Sequence, residues 1–323
     1  TNSTRLLVAD RKRTALERLV RITRLGEGTD ATGRLAPEAI ARTVQVLGEY
    51  RAVMDARGVA PGDARLVATS AVRDAANRSE LADAAERVTG VRVEVLSGEE
   101  EGRLCYAGAT AELDHAPRAG VPAARVAPAA PGGPFLVLDI GGGSTELITR
   151  AAGPGASPGA PIAVISLDLG CVRLTERFLH HDPPLAEELA HAEAEIHKQL
   201  ARARQTLPEL EKAPHLIGVA GTLTTLTAMQ QGLPTYDRVR IHHSLLTRPQ
   251  VVELLDTMAA EPASRRARRP GLEEARAEVI VAGTLILSTS MADLGFESCL
   301  VSESDILDGL IASQLPDGVA PVG

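Results

Sequence analysis

The sequence predicts an α/β protein of two domains, and three observations predict it. Short runs of Val, Ile and Leu recur along the chain, most of them followed by a segment with helical spacing, and they fall into two successive groups. At 323 residues and 44% hydrophobic content, the chain has enough material for two cores. Aromatic residues make up only 2% and Trp is absent, so those cores must be filled by Val, Leu, Ile and Ala, the usual filling of buried parallel strands.

The elements follow in order. STRLLVAD, residues 3 to 10, reads as a strand. Over 37 to 58, Ile40, Val44, Leu47, Tyr50 and Met54 recur at intervals of three and four, Pro37 suits a first helical turn and Gly58 suits a stop. Residues 64 to 77 pass from a short strand, Leu66 to Ala68, into a helix starting near Ala71. Residues 92 to 113 pass from alternating valines through a Ser-Gly turn into a helix that opens with Glu99, Glu100 and Glu101, acids that suit a positive helix end. The stretch 114 to 134 is rich in Pro, Ala and Gly without periodicity and predicts a loop or interdomain connection. A strand Phe135 to Ile140, a strand Glu146 to Thr149, a turn at 153 to 161 and a strand over 163 to 170 suggest a meander. Then come a helix over 185 to 207, a strand-loop-helix unit over 216 to 229, helices over 248 to 260 and 278 to 295, the strand CLVSES and a helix from Asp305.

Charge narrows the function. A formal net charge of −8 argues against a general nucleic-acid or membrane-surface binder, which would show a basic excess. No apolar run approaches the roughly 18 residues of a membrane-spanning helix. The dense cationic run Arg265-Arg266-Ala267-Arg268-Arg269 reads first as a solvated helix end and second as a guide for anions. Cys105, Cys171 and Cys299 are scattered and odd in number, which suggests neither a disulfide framework nor a zinc site and fits a reducing cytoplasm.

The chemistry concentrates in glycine loops. LVLDIGGGSTELI, residues 136 to 148, ends an apolar strand in glycines and hydroxyls, which let backbone N–H groups approach an anion closely. Asp139 interrupts a buried run where an unpaired charge would be costly, so it should face a metal or a polar site. GVAGTLTTL, residues 218 to 226, repeats the pattern, and Asn2-Ser3-Thr4 suits a third loop of the kind. Three such loops suggest a site between two domains that grips several phosphate oxygens, with Asp139 and Glu146 available for a divalent cation.

Here the sequence resembles the exopolyphosphatase and guanosine pentaphosphate phosphohydrolase (Ppx/GppA) family. The matching segments, in the family's order, are TNSTRLLVAD at 1 to 10, ATSAVRDAAN at 68 to 77, LSGEEEGRLCYAGA at 96 to 109, VLDIGGGSTELI at 137 to 148, LDLGCVRLTERFL at 167 to 179, GVAGTLTTLTAM at 218 to 229 and VSESDILDGL at 301 to 310. The resemblance implies two ribonuclease-H-like domains of the actin, sugar-kinase and Hsp70 superfamily flanking a cleft. It places the first over 1–125, with a C-terminal helix at about 303–315 packing back on it, and the second over 126–302. It further implies Mg2+-aided release of terminal orthophosphate from inorganic polyphosphate, and a homodimer as a plausible assembly.

The resemblance also implies roles. Glu101, in E-G-R, falls on the family's general base, leaving Glu99 and Glu100 to cap the helix. Asp139 and Glu146 would ligate Mg2+, a hard ion that favours carboxylates and water. Gly141, Gly142, Gly143, Ser144 and Thr145 would cradle a phosphoryl group, with Gly221 and Thr222 opposite and Asn2 and Ser3 in the first loop. Arg73 matches the arginine of A-T-x-x-x-R-x-x-x-N and would pair with phosphate oxygens; Arg173 is a weaker candidate of the same kind. His242 and His243 precede a predicted helix and read first as solvated side chains.

Two departures stand out. The family's first loop reads D-x-G-T-N-S at the end of a strand, whereas this sequence opens at Thr1-Asn2, so an incomplete first loop and strand are expected. The length corresponds to a short two-domain form, which predicts a preference for shorter polyphosphates. The competing readings are hydrolysis of guanosine pentaphosphate, disfavoured by the scarcity of stacking aromatics; a kinase of the same superfamily, disfavoured by the E-G-R glutamate; and a non-catalytic binder of polyphosphate or alarmone.

Overall fold

The computed structural model describes residues 1–113, 135–150 and 162–315. They form two compact units: Thr1–Gly108 with Ile306–Gly323, and Ala109–Asp305. The predicted boundary at 125/126 and the predicted turn at 153 to 161 lie outside the described residues.

The first unit contains β1 (Ser3–Ala9), β2 (Ala15–Ile22), α1 (Thr29–Thr32), α2 (Pro37–Ala56), β3 (Leu66–Ala68), α3 (Ser70–Asp74), α4 (Arg78–Thr89), β4 (Val93–Val95) and most of α5 (Gly98–Thr110). Strands β1 and β2 form an antiparallel hairpin, while β3 and β4 pair in parallel. Helix α2 buries Ala39, Thr43, Leu47, Tyr50 and Met54. The predicted stripe residues Ile40 and Val44 are half-buried against Leu25, Leu35 and the α3 residues Ala71 and Val72. The helix stops before Gly58, whose φ of 69° is the left-handed conformation glycine adopts freely.

Strand β2 escapes a periodicity reading because ALERLVRI mixes apolar and charged side chains on both faces of a half-exposed ribbon. The helix expected from Ala71 is the short α3, which ends at Asp74, and a second helix that the sequence reading did not place, α4, follows after Asn77. The Asn77 side-chain amide receives a hydrogen bond from Leu35 N (2.8 Å) and donates one to Leu35 O (3.0 Å), a tertiary contact that fixes the break between the two helices.

The second unit contains β5 (Phe135–Ile140), β6 (Thr145–Arg150), β7 (Ile162–Leu167), α6 (Cys171–Phe178), α7 (Ala186–Thr206), β8 (His215–Val219), α8 (Ala220–Gln230), α9 (Arg238–Ile241), β9 (Ser244–Thr247), α10 (Arg248–Ala259), α11 (Ala263–Arg266), α12 (Ile280–Asp293) and β10 (Ser298–Val301). The six strands run in the order β7-β6-β5-β8-β10-β9. Strand β8 is parallel to β5 and β10, and the remaining pairs are antiparallel. The β7-β6-β5 half is the expected meander. Central strand β5 has apolar side chains at most 2% exposed, and α12, with eleven buried residues, packs against α7, α10, α6 and α8. This explains why the helix carries almost no charge.

Some local expectations shift. His242 and His243 precede strand β9 rather than a helix, because SLLT is too short to stand out beside the helical signal that follows. Strand β10 ends at Val301, so the SES segment is not strand. The last helix, α13 (Ile306–Gln314), belongs to the first unit. It crosses α5 so closely that a Cβ on Gly309 would sit 1.9 Å from Leu104 O. Among the described residues no helix is long and apolar enough to cross a membrane.

Candidate active site

In the first unit the three consecutive glutamates have three different fates. Glu99 pairs with Arg103 one turn on (2.6 Å). Glu100 closes a reciprocal cap, accepting from Ser97 N and Ser97 Oγ (both 2.9 Å) while its own N donates to Ser97 Oγ. Those backbone and hydroxyl bonds hold its carboxyl below the usual range. Glu101 turns inward, 8% exposed, and meets Arg73 at 3.2 Å. Arg73, carried on the short helix α3, also donates to Leu96 O (2.9 Å). It is therefore not a solvated surface arginine.

Asn2 is likewise buried. Its carbonyl accepts from Thr23 N and Arg24 N (both 3.0 Å), and its side-chain Nδ2 has no hydrogen-bond partner among the described residues. A buried donor without a partner costs free energy unless something else accepts from it, as a phosphate oxygen can. Ser3 Oγ accepts from Arg5 Nε at 3.3 Å.

In the second unit, sheet register does the positioning. Asp139 on β5 is directly opposite Glu146 on β6, which is directly opposite Ser166 on β7. Directly opposed residues share a face with Cβ atoms about 5 Å apart, and like charges so placed repel. Ser166 Oγ donates to Glu146 Oε1 at 2.8 Å, and Glu146 is 1% exposed. Two acids at one level of a buried sheet are a donor set that fits a hard divalent cation such as Mg2+.

The loop between β5 and β6 is held by backbone bonds. Gly141 N donates to Ser144 O (2.9 Å), Gly141 O accepts from Cys171 N (3.0 Å), and Gly142 O accepts from Val172 N and Arg173 N (2.9 and 3.1 Å). Thr145 Oγ1 donates to Leu169 O (2.6 Å). Gly170 presses so tightly on this loop that a Cβ there would lie 2.3 Å from Gly142 O. The Arg173 side chain lies 3.6 Å from Asp168.

At the second glycine turn β8 runs straight into α8, with no intervening loop, through Ala220 at φ 70°, a strained conformation for a residue with a Cβ. A Cβ on Gly221 would lie 2.1 Å from the Arg276 guanidinium, and one on Gly283 would lie 2.6 Å from Thr222 Oγ1. Burial pushes the Cys171 thiol up, and the Arg276 charge opposes that.

Thus the fold brings Arg73 to Glu101, Asp139 to Glu146, and Arg173 to Gly142. Sequence reasoning missed Arg276, Ser166 and Gly170 as site neighbours. Only Gly170, inside LDLGCVRLTE, carried a signal, as a glycine just ahead of a helix. The arginine run proves structural: Arg266 is buried and donates to Ala277 O and Met258 O (2.8 and 3.1 Å), while Arg265 and Arg269 pair with Glu261.

One further polar cluster joins Glu112, His242 and His243. His242 Nδ1 accepts from Glu303 N (3.0 Å), which leaves Nε2 as the protonated nitrogen facing Glu112 (3.1 Å). That hydrogen bond draws the Glu112 carboxyl down to about 2, and burial draws His243 down to about 4. The two imidazoles stack with centroids 3.7 Å apart, so their in-plane lone pairs run side by side instead of converging on one ion. The cluster is better suited to a hydrogen-bonded strut than to a chelate.

Similarity to known proteins agrees with the fold. The model described as the Ppx/GppA phosphatase family matches residues 7–317. Exopolyphosphatase 2 of Mycobacterium tuberculosis is 37% identical, over 97% of this chain and 95% of its own. The crystal structure of an exopolyphosphatase-like protein matches with a TM-score of 0.86 at 34% identity, covering 97% of this chain and 95% of that one. The Aquifex aeolicus member of the Ppx/GppA family matches with a TM-score of 0.72 at 31% identity, covering 99% and 96%. The architecture is the two-domain α/β fold of the actin, sugar-kinase and Hsp70 class. The chain belongs to the Ppx/GppA phosphatase family and is a hydrolase.

Proposed function

We propose that the protein is an exopolyphosphatase, releasing terminal orthophosphate from inorganic polyphosphate with Glu101 as general base. The carrying observation is the inward turn of Glu101 towards Arg73, while its two neighbours are committed to local pairs. In this reading Glu101 takes a proton from water as the water oxygen bonds to the terminal phosphorus. The bridging P–O bond breaks with its electron pair going to the shortened chain. Asn2, Ser3, the 141–145 loop, Gly221, Thr222 and Arg173 hold phosphate oxygens, and Arg73 orients Glu101 as well as binding anion. Asp139 and Glu146 hold Mg2+, which supplies charge neutralisation for the bridging phosphates when bound. Arg276, against Gly221, joins the anion-binding set. Short chains are the expected substrates, and a reducing cytoplasm the expected compartment.

The test is Mg2+-dependent phosphate release from tripolyphosphate, long-chain polyphosphate and guanosine pentaphosphate, by the protein and by Glu101→Gln. Release from polyphosphate that the substitution abolishes is expected. Faster release from guanosine pentaphosphate would replace the substrate in this reading, and full activity in Glu101→Gln would remove the base.

A further inference from the structure

The charge is unevenly distributed within the first unit. The whole chain carries −8, yet residues 3 to 25, which span the β1–β2 hairpin, hold seven Lys and Arg side chains against two carboxylates. Three of the seven, Arg11, Lys12 and Arg13, lie exposed in the hairpin turn. The turn is a built one. Asp10 Oδ1 accepts from Lys12 N and Thr14 N, both at 2.8 Å, Arg13 N donates to Asp10 O, and Arg13 takes a left-handed φ of 64°. The nearest carboxylate is thereby engaged by backbone amides, and neither Arg11 nor Lys12 has an ion-pair partner among the described residues. Exposed cations kept apart from acids are free to meet an external anion.

Position gives this patch its meaning. Strand β1 starts at Ser3, next to the buried Asn2 with its unpartnered Nδ2, and runs to Ala9. At about 3.3 Å per residue, the turn lies on the order of 25 Å along the strand from Asn2. An anion that reached both ends would have to be long, linear and charged throughout.

We infer that the Arg11–Lys12 turn is a distal docking site for the polyphosphate chain, engaged only by chains long enough to run along the hairpin from Asn2. The inference rests on the proposed polyphosphate reading and deepens it. Affinity should rise with chain length only until the chain spans the distance from Asn2 to the turn and then level off, so chains much longer than that span gain nothing further, in keeping with short chains as the expected substrates.

The test pairs kinetics with binding. Alanine at both positions, R11A/K12A, should raise KM for long-chain polyphosphate about three- to tenfold and flatten its dependence on salt, since each lost phosphate contact releases fewer counterions. KM for tripolyphosphate, kcat and the thermal melt should stay unchanged. The same double substitution in a Glu101→Gln background, measured by equilibrium binding of long-chain polyphosphate, reads the docking without turnover. Long-chain binding and KM left unchanged by R11A/K12A, or an equal loss on tripolyphosphate, would overturn the inference. A parent protein that binds long chains through the turn but hydrolyses none would instead refute the exopolyphosphatase reading and leave the docking site standing.

Discussion

Glu101 and Glu146 are buried carboxylates, one in each unit, with different neighbours, and Glu146 shares its register position with the half-buried Asp139. Glu101 has a guanidinium of its own unit at 3.2 Å. Asp139 and Glu146 face each other across a ladder in which the second is nearly inaccessible. A buried acid beside an arginine is neutralised within the fold, whereas two acids at one register position repel and, in the proposed reading, hold a cation between them. The contrast separates a group suited to proton transfer from a pair suited to metal.

The largest expected effect breaks the first half of that comparison. Glu101→Gln keeps size and burial but removes the proposed base, and phosphate release should fall by about 10²- to 10⁴-fold with the melt preserved. Loss of the fold along with activity would point to a structural role for the Arg73 pair instead.

Asp139→Asn sharpens the second half. It should lower activity at least tenfold and shift the Mg2+ dependence to higher concentration, while raising the melting temperature in chelator because the like-charge repulsion is gone. An unchanged Mg2+ titration would place the cation elsewhere.

Gly170→Ala should destabilise by about 1–3 kcal/mol, as overpacking does, because its Cβ would be driven into the Gly142 carbonyl. Chemical denaturation measures this, and activity should fall with it if the displaced 141–145 loop binds phosphate as proposed. Asn77→Ala should cost a similar 1–3 kcal/mol by leaving the Leu35 amide and carbonyl unpaired, with kcat of the folded fraction unaffected. The smallest effect is expected one residue away from Glu101: Glu100→Ala removes an exposed cap, should lower the melting temperature slightly and should leave kinetics intact. Were Glu100→Ala as inactive as Glu101→Gln, the assignment of roles within the triplet would fail.

How much of this was legible beforehand depends on the range of the interactions. The helical stripe of α2 and the strand ending in three glycines are local patterns, and both elements appear where the spacing put them. The meander was readable because its strands are short, apolar and separated by turn residues. The break at Asn77, the strand at Ser244–Thr247 and the contact of Arg276 with Gly221 were not. Each depends on a partner distant in sequence, and no period in the chain announces which partner that is. The arginine run differs in the same way: its composition suggested a solvated helix end first and an anion guide second, and tertiary carbonyls and Glu261 absorb most of it.

The sequence by itself determined the α/β class, the glycine loops and, through the E-G-R and D-x-G-G-G-S-T-E segments, the family. Those features rest on residue type and spacing, which are properties of the chain alone. Only the tertiary structure decided that Glu101 meets Arg73, that Asp139 stands opposite Glu146 and Glu146 opposite Ser166, and that Gly170 closes on the loop between β5 and β6. Register and close packing are set by which surfaces are buried together. A slip of one residue on a strand would have turned Glu146 to the opposite face of the sheet from Asp139.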